Sequence, residues 1–208
     1  MKNKKTMYLA VLALLLAVEV VLSVTPLGMI MLPIFAIRAT TLHIPVILAG
    51  IILGCKGGAI VGGMFGICSI ISNTIAPGIT SFCFSPFYSI GEFHGGFSSI
   101  IIAMVPRILL GVISALIYSA LKKYFNEYIS VIVAALAGAI TNTILVLGGI
   151  YIFFGASYAA AKEISYEALL GVLMSVVSVN GLLEAAFGAI IVLAVYKACK
   201  PIINKVRN

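Results

Sequence analysis

The sequence contains no aspartate and no tryptophan, and only 9% of its 208 residues are charged. A typical soluble domain carries about a quarter charged residues, because water must solvate its surface. Six acidic and thirteen basic residues cannot cover the surface of a chain that is 62% hydrophobic. The composition therefore excludes a soluble globule and predicts an integral membrane protein.

Further absences exclude whole classes of activity. No G-x-x-x-x-G-K-[ST] motif is present, so the chain is not expected to hydrolyse ATP by itself. Without aspartate, and with His43 and His94 isolated, no catalytic triad or metal constellation is visible, and we expect neither an enzyme nor a metal or cofactor. The four cysteines form no C-x-x-C pair and are expected to be packing residues. The formal charge of +7 indicates membrane topology rather than a nucleic-acid partner.

Long apolar runs dominate what remains. Because one crossing needs about 20 apolar residues, the length predicts an all-α integral membrane protein with about six transmembrane helices in one domain, residues 1–208. A tight turn at residues 54–57 separates the second run from the third, and residues 26–42 and 72–96 are predicted to be outer loops. The predicted spans cover residues 7–24, 43–53, 57–71, 97–121, 129–154 and 168–196.

Basic residues orient these helices. With six crossings both termini lie on one side, and that side carries ten of the thirteen bases, including Lys56, Lys122 and Lys123. The opposite side carries only Arg38 and Lys162. The positive-inside rule therefore places both termini in the cytoplasm and the long loops outside, where ligand entry is expected.

Glycine recurs at every fourth position from residue 54 to residue 66. Gly54, Gly58, Gly62 and Gly66 share one helix face and allow a neighbouring backbone to approach closely. No strand precedes them, so this pattern predicts helix packing rather than phosphate binding.

Polar side chains at membrane depth are costly and need a partner or a function. A helix rises by about 1.5 Å per residue, and this rise gives the depth of each polar residue below the outer end of its helix. The depths are roughly 14 Å for Arg107, 18 Å for Asn142 and 17 Å for Asn180. Glu184 follows Asn180 by four residues and shares its helix face. We expect a polar pocket that opens outward, with Arg107 facing a carboxylate or phosphate. The alternatives are a structural ion pair of Arg107 with Glu184 or Glu19, and a proton relay through the two acids.

The outer loop at residues 72–96 mixes aromatic residues with hydroxyl and amide groups. Asn73, Ser81, Phe82 and Tyr88 would suit a lid over a small organic ligand. An aromatic belt at the depth of the lipid headgroups would explain the same composition.

Three segments carry a resemblance to a known family. The A-x-x-x-A motif from Ala13 to Ala17, the stretch ATTLHIPVILAG at residues 39–50 and PRILLG at residues 106–111 resemble the substrate-binding S components of energy-coupling factor (ECF) vitamin transporters. The resemblance implies a multi-pass protein of the bacterial cell membrane that binds its vitamin at the extracellular side. It also implies two ATPase subunits and a transmembrane coupling subunit, which Ala13 and Ala17, with Ala10 on the same stripe, would contact.

A second resemblance indicates which vitamin the chain would bind. Residues 80–87 and the Arg107 segment look most like pantothenate-type members, and a buried arginine suits a carboxylate. Members for folate, thiamine, pyridoxine-type vitamins or a queuosine precursor, and a stand-alone proton-coupled transporter, remain the alternatives. Together these arguments nominate as ligand-binding residues Arg107, Asn142, Asn180, Glu184, Asn73, Ser81, Phe82, Tyr88, Thr41 and His43.

Overall fold

The computed structural model describes residues 2–32 and 37–207, and the side chains of residues 4–28 and 40–206. The prediction of an all-α membrane protein is confirmed, with two short β-hairpins added to it. The helices are α1 (Lys2–Val24), α2 (His43–Ile75), α3 (Phe97–Leu121), α4 (Glu127–Ala161), α5 (Tyr166–Ser175), α6 (Leu182–Ala198) and α7 (Lys200–Arg207). The strands are β1 (Met29–Leu32), β2 (Ile37–Thr40), β3 (Ser89–Ile90) and β4 (Phe93–His94).

Within the described residues, five helical segments are long and apolar enough to cross a membrane. In the last of them a π-helical stretch, Val176–Gly181, joins α5 to α6. The α4 helix runs to Ala161, beyond the predicted end at residue 154, and α3 has the predicted bounds. The five segments are Lys4–Val24, His43–Ile75, Phe97–Leu121, Glu127–Ala161 and Tyr166–Ala198.

The α2 helix is folded back on itself at Gly54. Gly54 has φ of 78°, a left-handed conformation that glycine adopts without strain. A Cβ built on Gly58 would lie 3.0 Å from the Cα of Gly50, although eight residues of straight helix would separate them by about 12 Å. The predicted turn between two helices is therefore present. Because it divides the α2 segment into two helices, the five apolar segments contain the six membrane helices that the sequence predicts.

The glycine stripe packs against α3 with close backbone contact. A Cβ at Gly58 would clash with the carbonyl of Gly111, and a Cβ at Gly62 would clash with the carbonyl of Arg107. A Cβ at Gly66 would meet Met104 and the carbonyl of Ala103. Each step of four residues along α2 matches a step of four back along α3, so the predicted packing is confirmed for three of the four glycines. Gly54 instead forms the turn, and nothing lies within 4 Å of its added Cβ.

The α1 helix lies at the edge of the bundle and packs mainly against α2. Leu15 and Glu19 face inward and are buried. Ala10, Ala13 and Ala17 are exposed, so the small-residue stripe does not pack inside the described part of the chain.

The two outer segments are more ordered than the sequence predicts. The β1 and β2 strands pair in antiparallel fashion, with Met29 opposite Thr40, and residues 33–36, including Pro33, lie outside the described residues. The second segment begins only after Ile75, so Asn73 belongs to the last turn of α2 and not to a loop. Burial raises the pKa of the Cys83 thiol in this segment to about 12, as expected for a packing cysteine.

A hydrogen-bonded cluster ties the helices together at the end where the basic residues gather. The hydroxyls of Tyr118 on α3 and Tyr196 on α6 are 2.7 Å apart, and Tyr196 donates to the Glu127 carboxylate at the start of α4. The Lys200 ammonium on α7 lies 2.8 Å from the same carboxylate. Four helices are thereby linked at this end, opposite the two hairpins.

Candidate functional site

Two cavities meet at Arg107 in the half of the bundle that carries the hairpins. The outer cavity has a volume of about 390 Å³ and lies between α1, α2, α3 and the segment around Phe84. The inner cavity is smaller, about 130 Å³, and lies deeper, between α2, α3, α4 and α6. Both cavities are lined by Thr40, Phe65 and Arg107.

Arg107 is held rigidly by the residues around it. Its guanidinium carbon lies 5.3 Å from the ring centre of Phe65 and 5.4 Å from that of Phe84, within the range of cation–π attraction. Its Nη1 donates to the carbonyl oxygen of Ile102 at 2.5 Å. This carbonyl is available because Pro106, four residues further on, has no N–H to donate to it.

The Nε group of Arg107 is buried and makes no hydrogen bond to the residues described. A buried donor without a partner costs free energy, about 1–3 kcal/mol or more for a charged group. A planar guanidinium with free N–H groups can form a bidentate pair of hydrogen bonds with a carboxylate or phosphate. Arg107 therefore presents an anion-binding group to the cavities.

Glu184 and His43 form one wall of the inner cavity. Glu184 accepts a hydrogen bond from the backbone N–H of Thr40 at 2.7 Å, through Oε1. The same oxygen lies 3.9 Å from His43 Nδ1. The first hairpin, predicted to stay at the outer surface, thus reaches into the bundle through Thr40 and connects the inner cavity to the outer one.

Asn142 on α4 supplies the opposite wall. Its Oδ1 is buried and has no hydrogen-bond partner among the described residues. The neighbouring Thr143 hydroxyl donates back to the carbonyl of Ala139, so its oxygen faces the cavity as an acceptor. This wall offers hydrogen-bond acceptors.

Of the residues nominated from the sequence, the structure brings Arg107, Asn142, Glu184 and His43 to the inner cavity and Asn73 to the outer one. Asn180 is not among the residues that line either cavity, and its side chain is exposed. The lining residues of its helix are Gly181, Glu184 and Ala185, and a step of one residue turns an α-helix by roughly 100°. Glu184 lies at the edge of the helix face that lines the cavity. Asn180 is turned further away from that face, so it does not line the cavity although it is only four residues from Glu184.

Four nominated residues support the walls of the site without lining its polar part. The Ser81 hydroxyl donates to Asn73 Oδ1 at 2.7 Å, and the Thr41 hydroxyl donates to the carbonyl of Leu27 at 2.8 Å. Phe82 is fully buried against Phe93 and Phe154, and Tyr88 packs on the same cluster.

Sequence reasoning did not identify Phe65 and Thr40, and it considered Phe84 only as part of the aromatic outer loop. Phe65 and Phe84 are apolar residues in an apolar chain, and their pattern gives no sign that they flank an arginine. Thr40 acts through its backbone N–H, which no side-chain pattern reveals.

The structural ion pair considered for Arg107 is not formed in the described part of the chain. There the Lys200 ammonium pairs with the Glu127 carboxylate, and His43 Nδ1 lies 3.9 Å from Glu184. Glu19 is fully buried, and neither of its carboxylate oxygens has a hydrogen-bond partner among the described residues. In that same part of the chain, no group of three or more His, Cys, Asp or Glu residues could hold a metal ion.

Comparison with known proteins supplies an independent finding. Residues 7–196 match the family model described as "ECF transporter, substrate-specific component". The chain is 37% identical to the pantothenic acid transporter PanT of Lactococcus lactis subsp. cremoris, over 100% of this chain and 99% of that protein. It is 28% identical to the pantothenate transporter PanT of Leuconostoc mesenteroides, over 99% of this chain and 98% of that protein.

Proposed function

Because the chain belongs to the family of substrate-specific components of ECF transporters, we propose that it binds pantothenate at the outer side of the membrane for uptake into the cell. Membership makes it a multi-pass component of a transporter in the bacterial cell membrane and not an enzyme. The substrate is inferred from the two relatives, both of which are named for pantothenate.

One observation carries the choice of an anionic ligand. Arg107 is 7% exposed and has no acidic partner among the described residues, and its Nε group lacks a hydrogen bond. Pantothenate has a single carboxylate, which a guanidinium can bind in two-pronged fashion. In this proposal the ligand enters the outer cavity, whose volume of about 390 Å³ suits a small molecule. Asn73, on the wall of that cavity, lies within the same site.

Delivery into the cell is proposed to need partner subunits. We infer that the chain docks to a transmembrane coupling subunit and that two ATPase subunits supply the energy. The exposed alanines of α1, Ala10, Ala13 and Ala17, support α1 as the docking helix, because small side chains let a second helix approach closely.

The test is equilibrium binding of pantothenate to the purified chain by calorimetry, without ATP or partners. Thiamine, folate, riboflavin and pyridoxine serve as competitors. We expect saturable binding of pantothenate alone. Saturable binding of another vitamin would contradict the substrate. Gradient-driven uptake by the chain alone in liposomes would contradict the S-component mechanism and favour a secondary transporter.

A further inference from the structure

The two cavities differ in the kind of hydrogen-bonding group they offer. In the inner cavity the Glu184 carboxylate accepts from Thr40 through Oε1, which also lies 3.9 Å from His43 Nδ1, and a carboxylate has further lone pairs with which to accept. Asn142 adds an acceptor without a partner, and Thr143 has already used its hydroxyl proton. Besides the N–H groups of Arg107, Asn142 and His43, the inner cavity therefore presents acceptor oxygens on two of its walls, and one of these acceptors is a carboxylate.

The outer cavity has a different balance. Among the described residues, those that line it contribute no acidic side chain, and Arg107 is the cationic one. The hydroxyls of Ser69 and Ser72 line it as well and can donate to an anion, whereas the Thr25 hydroxyl already donates to the carbonyl of Val21. This cavity suits a negatively charged group.

Like charges repel strongly where water is scarce. A ligand carboxylate in the inner cavity would share about 130 Å³ with the Glu184 side chain. A hydroxyl group there would instead donate to Glu184 and Asn142, and hydrogen bonds to a charged acceptor are the stronger kind. Because Arg107 lines both cavities, it can bind the ligand's carboxylate from the outer side while the rest of the ligand extends into the inner cavity.

We propose that the inner cavity is a hydroxyl-binding subsite built from Glu184 and Asn142, and that the ligand binds with its carboxylate outward at Arg107 and its hydroxyl-bearing end inward. This inference rests on the proposed function, since pantothenate carries a carboxylate at one end and two hydroxyls at the other. Glu184 is then a specificity residue that selects carboxylates with a hydroxylated far end.

The test combines three ligands with two variants and measures affinity by calorimetry. The ligands are pantothenate, pantothenyl alcohol, which lacks the carboxylate, and the analogue in which hydrogen replaces both hydroxyls. Glu184→Gln is expected to lower the affinity for pantothenate and for pantothenyl alcohol alike, by about 10-fold or more. It should leave the weak affinity for the hydroxyl-free analogue unchanged. Arg107→Gln is expected to weaken pantothenate, bringing its affinity close to that of pantothenyl alcohol.

The reversed orientation predicts the opposite pattern. If the carboxylate lay beside Glu184, Glu184→Gln would strengthen pantothenate binding and leave pantothenyl alcohol unaffected, and the proposal would be overturned. Equal effects of Glu184→Gln on all three ligands would overturn it too. Glu167→Gln, on the exposed first turn of α5, is the matched control, and thermal unfolding of each variant identifies loss of folding. Failure of the unmodified chain to bind pantothenate would overturn the proposed function itself, which separates the two failures.

Discussion

At the scale of single residues, the site depends on the pair Pro106–Arg107. Proline leaves the carbonyl of Ile102 without its helical partner, and the next side chain takes that place. The same bond orients the guanidinium between Phe65 and Phe84. Arg107 is thus fixed before a ligand arrives, and a fixed donor loses less conformational entropy on binding.

Replacing Arg107 by lysine is expected to weaken pantothenate binding by about 10-fold to 100-fold, since hydrogen bonds to charged groups are worth about 1.5–3 kcal/mol. An ammonium keeps the charge, but it cannot bond to Ile102 and offer a planar fork at the same time. Calorimetry of purified Arg107→Lys checks this, with Lys56→Arg at the inner turn as the control. Unchanged affinity in Arg107→Lys would mean that charge alone matters.

Phe84→Leu is expected to lower pantothenate affinity about 2-fold to 30-fold. Leucine keeps most of the volume but removes the ring face beside Arg107, and an exposed or partly buried cation–π contact contributes about 0.5–2 kcal/mol. The control is Phe87→Leu in the same segment, where the ring is 79% exposed. In an Arg107→Gln background Phe84→Leu should have no further effect, and a full additional loss there would contradict a role through Arg107.

At the scale of helices, the glycine stripe decides where α3 lies and hence where Arg107 lies. Gly62 touches the backbone of Arg107 itself, so any side chain at residue 62 moves the anchor. Gly63 is the next residue on the same helix, and nothing lies within 4 Å of its added Cβ.

Gly62→Ala is therefore expected to destabilise the protein by about 1–3 kcal/mol, the usual cost of overpacking, and to weaken ligand binding. Gly63→Ala should be neutral or stabilising by up to about 1 kcal/mol, because alanine favours helix over glycine. Thermal unfolding in detergent and calorimetry compare the pair. Equal effects of the two substitutions would show that close contact with α3 is not what Gly62 provides.

The exposed stripe of α1 leads to a prediction about transport. Ala13→Phe and Ala17→Phe should leave pantothenate affinity unchanged, because both positions are exposed and lie outside the cavities. Uptake by cells that carry the partner subunits should be lost, since a bulky ring keeps a second helix away. Ile190→Phe, at a position of α6 that is 67% exposed, is the control for a generally disturbed surface. Normal uptake in both alanine variants would exclude this face as the docking surface.

At the scale of the whole molecule, orientation in the membrane can be checked with a cysteine already present. Cys55 is exposed at the turn of α2 and free. In a variant with Cys68, Cys83 and Cys199 changed to alanine, a membrane-impermeant maleimide should label Cys55 only after the inner face is opened. A cysteine introduced at Glu163, on the exposed outer turn, should be labelled in intact cells. The reverse pattern would invert the topology.

Local features of the sequence were enough to predict the class of protein, the number of membrane crossings and the packing of the glycines. They also indicated the arginine that could bind an anion. These properties follow from local features: apolar runs long enough for lipid, a repeat of four residues, and a charge that is costly at depth. The family resemblance followed from short segments and is confirmed over residues 7–196.

Only the tertiary structure decided which polar groups meet. Asn180 and Glu184 lie close together on a helical wheel. Which of the two lines the inner cavity depends on where α2 and α4 pack, and only Glu184 is among its lining residues. Phe65, Phe84 and the backbone of Thr40 enter the site from distant segments, through apolar surface and a main-chain N–H that carry no side-chain signature. Proximity between distant segments depends on packing of the whole bundle, which no local pattern contains.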